Sequence, residues 1–306
     1  MAYDSSIQVV KTDKEVLLTI DNKTQNIAQW AREYNLSEKT LGERVRSGWK
    51  KEELFLPPKS KKRIPSFNEH YFDKIDDEHK AYWIGFIWSD GYLGHRIRAH
   101  RKEEYNLKIS LIATDDEHLK KFNNDINGKY QIHYYQYSPN AFRSDTNSEA
   151  RIFITNTYFG KVLKDNYGIV PHREDCSKLI NSIPQHLIHH FIRGVIDADG
   201  SFCHYTILER GHNVDKYSIS ICGSEMMLRF IEKYFINLGI LENIERKCLK
   251  RHNEESRDQG CLNLKLSGKL VVTNTLFHLY NDATIYLDRK YTKYLQIMEV
   301  VNCNTK

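Results

Sequence analysis

Two stretches of the chain decide its fold: WIGFIWSDG at residues 83–91 and IRGVIDADG at residues 192–200. Each is an apolar run with a glycine near its middle, Gly85 or Gly194, and each ends in Asp-Gly. Apolar residues of this length without strict alternation indicate a buried helix. Asp and Gly are common turn residues, so each pair marks the end of a helix.

The segments that follow the two stretches also match. LKISLIATDDEHLKKF (107–122) resembles YSISICGSEMMLRFI (217–231): a strand, then Thr or Ser at a cap position with an acid after it, then a helix. Asp90 and Asp199 are 109 residues apart (199 − 90). A similar spacing persists through both segments, which indicates an internal duplication. We therefore predict an α+β fold with two pseudo-symmetric αββαββα halves.

The predicted organisation has four parts. They are a small helical module (1–56), a basic proline-rich linker (57–69), a first half (70–184) and a second half (185–306). In the module, TQNIAQWAREYNLS and SEKTLGERVRSGW predict two short helices, with Ser37 as N-cap of the second and Gly48 ending it. A tight turn between them favours a helix-turn-helix, and a plain helical hairpin used for packing is the alternative.

The linker LPPKSKKRIP (56–65) combines three prolines with a basic run. Such segments are exposed and semi-rigid. Its cations could follow a phosphate backbone or could simply be solvated. They are Lys59, Lys61, Lys62 and Arg63.

Composition narrows the class of protein. Of the 306 residues, 40% are hydrophobic and 28% are charged, which is typical of a folded protein. The formal net charge of +5 permits a nucleic-acid partner without demanding one. No apolar run approaches the ~18 residues of a membrane span, and the first residues lack an apolar secretion signal. The six cysteines form no CxxC pair. We expect a protein that is not secreted and works in the cytoplasm of a bacterial or phage host.

The glycines and acids of the two stretches suggest a metal site. Glycine inside a helix costs about 1 kcal/mol relative to alanine, and close approach of two helices through Gly85 and Gly194 is a compensation. Asp90 and Asp199 would then lie side by side at helix C-termini, where the helix dipole and mutual repulsion disfavour them. A hard divalent cation, Mg²⁺ or Mn²⁺, offsets both effects. Two ordinary helix-ending turns are the alternative, which the duplication makes less favoured.

At these residues the sequence resembles the LAGLIDADG homing endonucleases, over roughly residues 70–300. IGFIWSDG (84–91) and IRGVIDADG (192–200) look like the two signature motifs of that family. Trp88 departs from the first motif, and Asp197 is the matching acid in the second. The resemblance implies a monomer that cuts both strands of a long DNA site. It also implies metal bound by Asp90 and Asp199, with the adjacent Gly91 and Gly200 completing the site.

The resemblance extends to the entry of the closing helix. ATIYLDRKYTKYL (283–295) resembles the segment in which the family carries a lysine that assists catalysis, which implies Lys290 with Arg289 beside it. The first-half counterpart is GIVPHREDCSK (168–178), with Arg173 as the best match. Arginine stays protonated, so Arg173 would stabilise charge. For Lys290, an ordinary surface lysine is the alternative.

Polar residues that alternate with apolar ones along the strands are candidates for DNA contacts, because a β-ribbon fits the major groove. A merely solvated sheet face would show the same alternation. In the first half the candidates are Arg96, Arg98, Lys108, Gln131, His133, Tyr135 and Arg151. In the second half they are Tyr205, Ser218, Ser220, Arg246, Lys247, Lys250, Asn263 and Lys265.

The functional prediction is a metal-dependent, site-specific double-strand DNA endonuclease. The alternatives have the same fold but do not cleave DNA. They are an inactive RNA maturase, with intron RNA as partner, and a DNA-binding regulator. A general helix-turn-helix transcription factor would leave the duplicated Asp-Gly helices unexplained. The N-terminal module resembles the helix-turn-helix modules fused to phage and intron-encoded nucleases, which implies that it adds sequence-reading length or affinity.

Overall fold

The computed structural model describes residues 7–11, 16–56, 67–97, 103–136, 148–171, 175–242, 250–251 and 262–303. The chain divides into two compact units, Met1–Ile64 and Pro65–Lys306. Among the described residues, no helix is both long and apolar enough to cross a membrane.

The first unit combines a three-stranded antiparallel sheet with three short helices. Its first two helices form where the sequence predicts them, and Ser37 accepts a hydrogen bond from the Thr40 amide as the N-cap of the second. The third helix was not predicted. The sheet was not predicted, although Asp21 and Asn22, both with positive φ, form the two-residue turn typical of a hairpin. The elements are β1 (Ile7–Lys11), β2 (Val16–Ile20), β3 (Lys23–Asn26), α1 (Ile27–Glu33), α2 (Glu38–Arg46) and α3 (Lys51–Leu54).

The second unit begins with the first half of the duplication. One long buried helix precedes a four-stranded antiparallel sheet of order β4-β5-β7-β6, and helices cover one face of it. The elements are α4 (Glu78–Asp90), β4 (Gly91–Ile97), β5 (Glu103–Ile112), α5 (Asp116–Asp125), β6 (His133–Gln136), β7 (Ser148–Thr155), α6 (Thr157–Tyr167) and α7 (Ser177–Ser182).

The second half repeats this arrangement, with the sheet order β8-β9-β11-β10. Both halves close with two helices, where one was predicted. The elements are α8 (Ile188–Asp199), β8 (Gly200–Glu209), β9 (His212–Gly223), α9 (Glu225–Asn237), β10 (Lys250–Arg251), β11 (Leu262–Ser267), α10 (Lys269–Tyr280) and α11 (Asp288–Cys303). The predicted α+β class and the duplicated halves are confirmed.

Equivalent side-chain contacts recur in the two halves. His95 stacks on Tyr105 and His204 stacks on Tyr217, each with ring centroids 4.6 Å apart. The N-caps of the equivalent helices α5 and α9 differ, however. Ser224 caps α9 as predicted, whereas Thr114 lies in a 3₁₀ turn (Ala113–Asp115) and does not cap α5. That turn gives Asp115 a buried position, which has consequences described below.

Candidate active site

Helices α4 and α8 cross in contact at their two internal glycines. A Cβ atom on Gly85 would overlap the carbonyl oxygen of Phe191, and one on Gly194 would overlap that of Tyr82. Backbone therefore packs on backbone, which only glycine permits at this separation. Asp90 and Asp199 each follow their glycine by five positions, so both helices end equally far from the contact.

The two helices end at Asp90 and Asp199, whose side chains are half-buried. Gly91 and Gly200 follow in extended backbone, with φ of −82° and −96°, and start the strands β4 and β8. Neither glycine supplies the left-handed turn expected of an ordinary helix end. Instead each leaves room for the helix end, because a Cβ there would overlap the carbonyl oxygen four residues earlier.

Lys290 lies at the same place. Its side chain is only 4% exposed, and Nζ donates to the carbonyl oxygen of Gly200 and, at 3.4 Å, to that of Ile196. Burial lowers the pKa of Lys290 to about 8, while the charges of Asp197 and then of Asp90 and Asp199 act on it in the raising direction. The structure thus brings this lysine together with both motif aspartates, and the surface-lysine alternative is wrong.

Asp197, the other acid of the second motif, has a different environment. It is fully buried and accepts hydrogen bonds from Tyr82 Oη at 2.7 Å, from Tyr280 Oη and from the Leu287 amide at 2.7 Å. Burial raises the pKa of Asp197, and these hydrogen bonds act in the opposite direction. Because Leu287 O accepts from the amide of Lys290, Asp197 fixes the start of the helix that carries that lysine.

The sequence does not predict the residues that surround Asp197. An acid within an apolar helix is a signal for a buried partner, but Tyr82 and Tyr280 are distant in sequence and carry no local signal. In the first motif the equivalent position is Trp88, which is buried. An indole N–H donates only, so Trp88 cannot accept a hydrogen bond from a helix start as Asp197 does.

The carboxylate oxygens of Asp90 and Asp199 are donors suited to a hard cation that keeps part of its water shell. Among the described residues, no group of three or more His, Cys, Asp or Glu side chains could hold a metal ion. Magnesium needs only one or two carboxylates when water and a substrate phosphate supply the other ligands. Asp90 and Asp199, both half-exposed, meet that requirement.

Of the first-half candidates for DNA contacts that the structure describes, all but Gln131 lie on the sheet face opposite the core. Arg96 pairs with Glu104, Lys108 lies 5.2 Å from the Tyr92 ring, and Arg151 lies 4.4 Å from the Tyr135 ring. Strand pairing places His133 opposite Arg151 on this face. Gln131 is exposed but precedes the strand, so its predicted place in the sheet is wrong.

In the second half, Tyr205, Ser218, Ser220 and Lys265 share the equivalent outer face, as strand pairing requires. Asn263 is on it as well, and its Oδ1 accepts a 2.6 Å hydrogen bond from Ser220 Oγ. Lys250 lies in the edge strand β10, opposite Asn263. Several predicted residues fall outside the described ones: Arg98, Arg173, Arg246, Lys247 and the linker cations Lys59, Lys61, Lys62 and Arg63.

Comparison with known proteins gives matches at the level of structure. No protein-family model matches the sequence, and no curated protein matches it. The crystal structure of the LAGLIDADG meganuclease I-CpaMI bound to uncleaved DNA is similar, with a TM-score of 0.50, 11% identity, and coverage of 76% of this chain and 92% of that one. The meganuclease I-AabMI, also bound to uncleaved DNA, gives a TM-score of 0.50, 14% identity, and coverage of 75% and 92%. With two motif helices in one polypeptide, this chain has the single-chain LAGLIDADG fold.

Proposed function

We propose that this chain is a site-specific DNA endonuclease that hydrolyses one phosphodiester bond in each strand with a divalent metal. The observation that carries the proposal is the crossing of α4 and α8 at Gly85 and Gly194, which ends both helices beside Lys290. Likeness to two meganucleases that were crystallised on DNA supports the same function.

Asp90 and Asp199 are the proposed metal ligands, with Gly91 and Gly200 adjoining them. Mg²⁺ or Mn²⁺ bound there would activate water and stabilise the leaving oxygen of the cleaved bond. Because both residues are only half-buried, a metal held by them would have room for water and a phosphate oxygen as further ligands. Their charge also favours the protonated form of the neighbouring lysine.

Lys290 is the proposed proton-handling residue. With a pKa of about 8, its amine can gain or lose a proton near neutral pH, which an ordinary lysine does only at much higher pH. Its hydrogen bond to the Gly200 carbonyl holds Nζ at the end of α8. The proposed counterpart in the first half is Arg173, which would stabilise negative charge and not carry a proton.

DNA is the proposed occupant of the outer sheet faces. Both faces present side chains that can bond to base edges or phosphates, and each sheet has the antiparallel pairing of a groove-binding ribbon. Because the two halves are joined in one chain, a monomer presents both faces to one duplex. The N-terminal module would extend the contact as a helix-turn-helix.

The decisive experiment uses a randomised plasmid library incubated with purified protein and Mg²⁺, with cut ends sequenced. We expect metal-dependent double-strand cuts at one sequence, abolished by EDTA. Asp90→Asn and Asp199→Asn should each lose cleavage by more than about 100-fold while retaining DNA binding. Asp165→Asn, on the exposed side of α6, is the matched control and should cut normally. Tight, specific binding without cleavage in Mg²⁺ or Mn²⁺ would instead favour the maturase or the regulator.

A further inference from the structure

The segment that leads into α11 and includes its first two residues, Thr284–Arg289, is held by hydrogen bonds along its length. From the second half, Arg193 Nε donates to the Ile285 carbonyl at 2.9 Å and Asp197 accepts from the Leu287 amide. First-half side chains make the other side-chain hydrogen bonds to this segment. This segment ends one residue before Lys290, so whatever fixes it also fixes the lysine.

Two first-half residues at the start of α4 hold the beginning of the segment. Glu78 Oε1 accepts a hydrogen bond from the Thr284 amide at 2.9 Å, and His79 Nε2 lies 3.2 Å from Thr284 Oγ1. His79 is itself oriented by Asp125, whose Oδ2 lies 2.8 Å from His79 Nδ1. The first half therefore fixes the backbone six residues before Lys290.

Two further first-half residues, around α5, hold the end of the segment. Lys121 Nζ donates to the Tyr286 carbonyl at 3.1 Å and to Asp288 Oδ1 at 2.6 Å. Asp115 Oδ2 accepts from Arg289 Nε at 2.6 Å. The Asp115 side chain is only 7% exposed, so this ion pair is shielded from solvent on the acid's side. A shielded, charge-assisted pair is stronger and more directional than an exposed one.

We propose that Asp115 and Lys121 are positioning residues for DNA cleavage: the first half sets the place of Lys290, which belongs to the second half. Neither residue touches the substrate, because each acts through Asp288, Arg289 and the backbone between them and the lysine. The inference rests on the proposed function for its catalytic part. The contact itself is independent of any activity.

The test compares Asp115→Asn and Lys121→Met with neighbours that point elsewhere. Asp116→Asn and Lys120→Met are the matched controls, since Asp116 pairs with Tyr134 and Lys120 pairs with Asp116 and Glu117 at the surface. Lys121→Arg, which keeps charge and donors, is the conservative variant. For each protein we would measure DNA affinity, the single-turnover cleavage rate at saturating protein, and hydrogen exchange of the amides of α11.

We expect Asp115→Asn and Lys121→Met to cut about 10- to 100-fold more slowly with DNA affinity within about twofold, the size of effect produced by a catalytic group displaced by ~1 Å. The first-turn amides of α11 should exchange faster in both. Lys121→Arg should recover most of the rate, and the controls should match the wild type.

Unchanged exchange in both variants would overturn the inference, as would a rate loss that the controls share or that follows from weaker DNA binding. If the wild-type protein fails to cut DNA at all, the proposed function fails. The hydrogen-exchange measurement would then still show whether the first half fixes the start of α11.

Discussion

Replacing Gly194 by alanine should destabilise the second unit, although the same change normally stabilises a helix. Alanine in a helix interior is about 1 kcal/mol more favourable than glycine. In α8 the added methyl group would overlap the Tyr82 carbonyl oxygen and crowd the Phe86 amide, and neither backbone atom can rotate away. Overpacking of this kind costs about 1–3 kcal/mol. Because this overlap is severe, the cost should be near 3 kcal/mol, and subtracting the gain of about 1 kcal/mol leaves a net loss of about 2 kcal/mol.

Gly42→Ala is the matched control, because Gly42 also lies inside a helix, α2, but in open surroundings. A Cβ there would meet only Ile27 Cδ1 at 3.9 Å, an ordinary contact. That substitution should therefore stabilise α2 by about 1 kcal/mol.

Native-state hydrogen exchange on the full chain, followed by peptide, measures the opening free energy of each helix separately. We expect faster exchange in α4 and α8 for Gly194→Ala and slower exchange in α2 for Gly42→Ala. Slower exchange in α8 for Gly194→Ala would refute the backbone contact between the motif helices.

Two further predictions concern buried groups in the second unit. Asp197→Asn replaces one of the two carboxylate oxygens that accept hydrogen bonds from two tyrosine hydroxyls and an amide. It should cost about 2–3 kcal/mol in the free energy of unfolding, measured by urea titration, and an unchanged midpoint would contradict this. Burial lowers the pKa of His118 from 6.5 to about 3, so the unfolded chain binds the extra proton first, and stability present above pH 6.5 should be lost as the pH falls towards 3. His118→Gln should flatten this part of the stability profile, and an equally steep profile would show that other groups cause it.

The placement of the two aspartates was predictable because the signal is local and repeated. A glycine in the middle of an apolar helix carries an energetic cost that calls for a close neighbour, and the same cost appears twice at one spacing. From that alone, a contact between Gly85 and Gly194 could be predicted. Asp90 and Asp199 then follow at the same distance along both helices.

The burial of Lys290 and its support from the first half could not be predicted in this way. Asp115 and Arg289 are separated by 174 positions, and no sequence pattern near either residue indicates that they pair. Asp115 is buried because its 3₁₀ turn replaces the Thr cap that the sequence suggests. The sheet of the first unit had a weaker signal, the Asp21-Asn22 turn, because the flanking strands are largely apolar (β2) or entirely polar (β3) and neither alternates strictly.

The ion pairs on the outer face of the first sheet bear on how DNA binding would respond to salt. Each free cation that meets a phosphate releases about 0.9 counterion from the duplex, which makes affinity fall steeply as salt rises. Arg96 is already paired with Glu104, and Arg151 with Glu149 at 2.7 Å, on that same face. When an arginine leaves its glutamate for a phosphate, the exposed carboxylate recruits a counterion of its own. The salt dependence of binding should therefore be shallower than the number of basic side chains on this face implies.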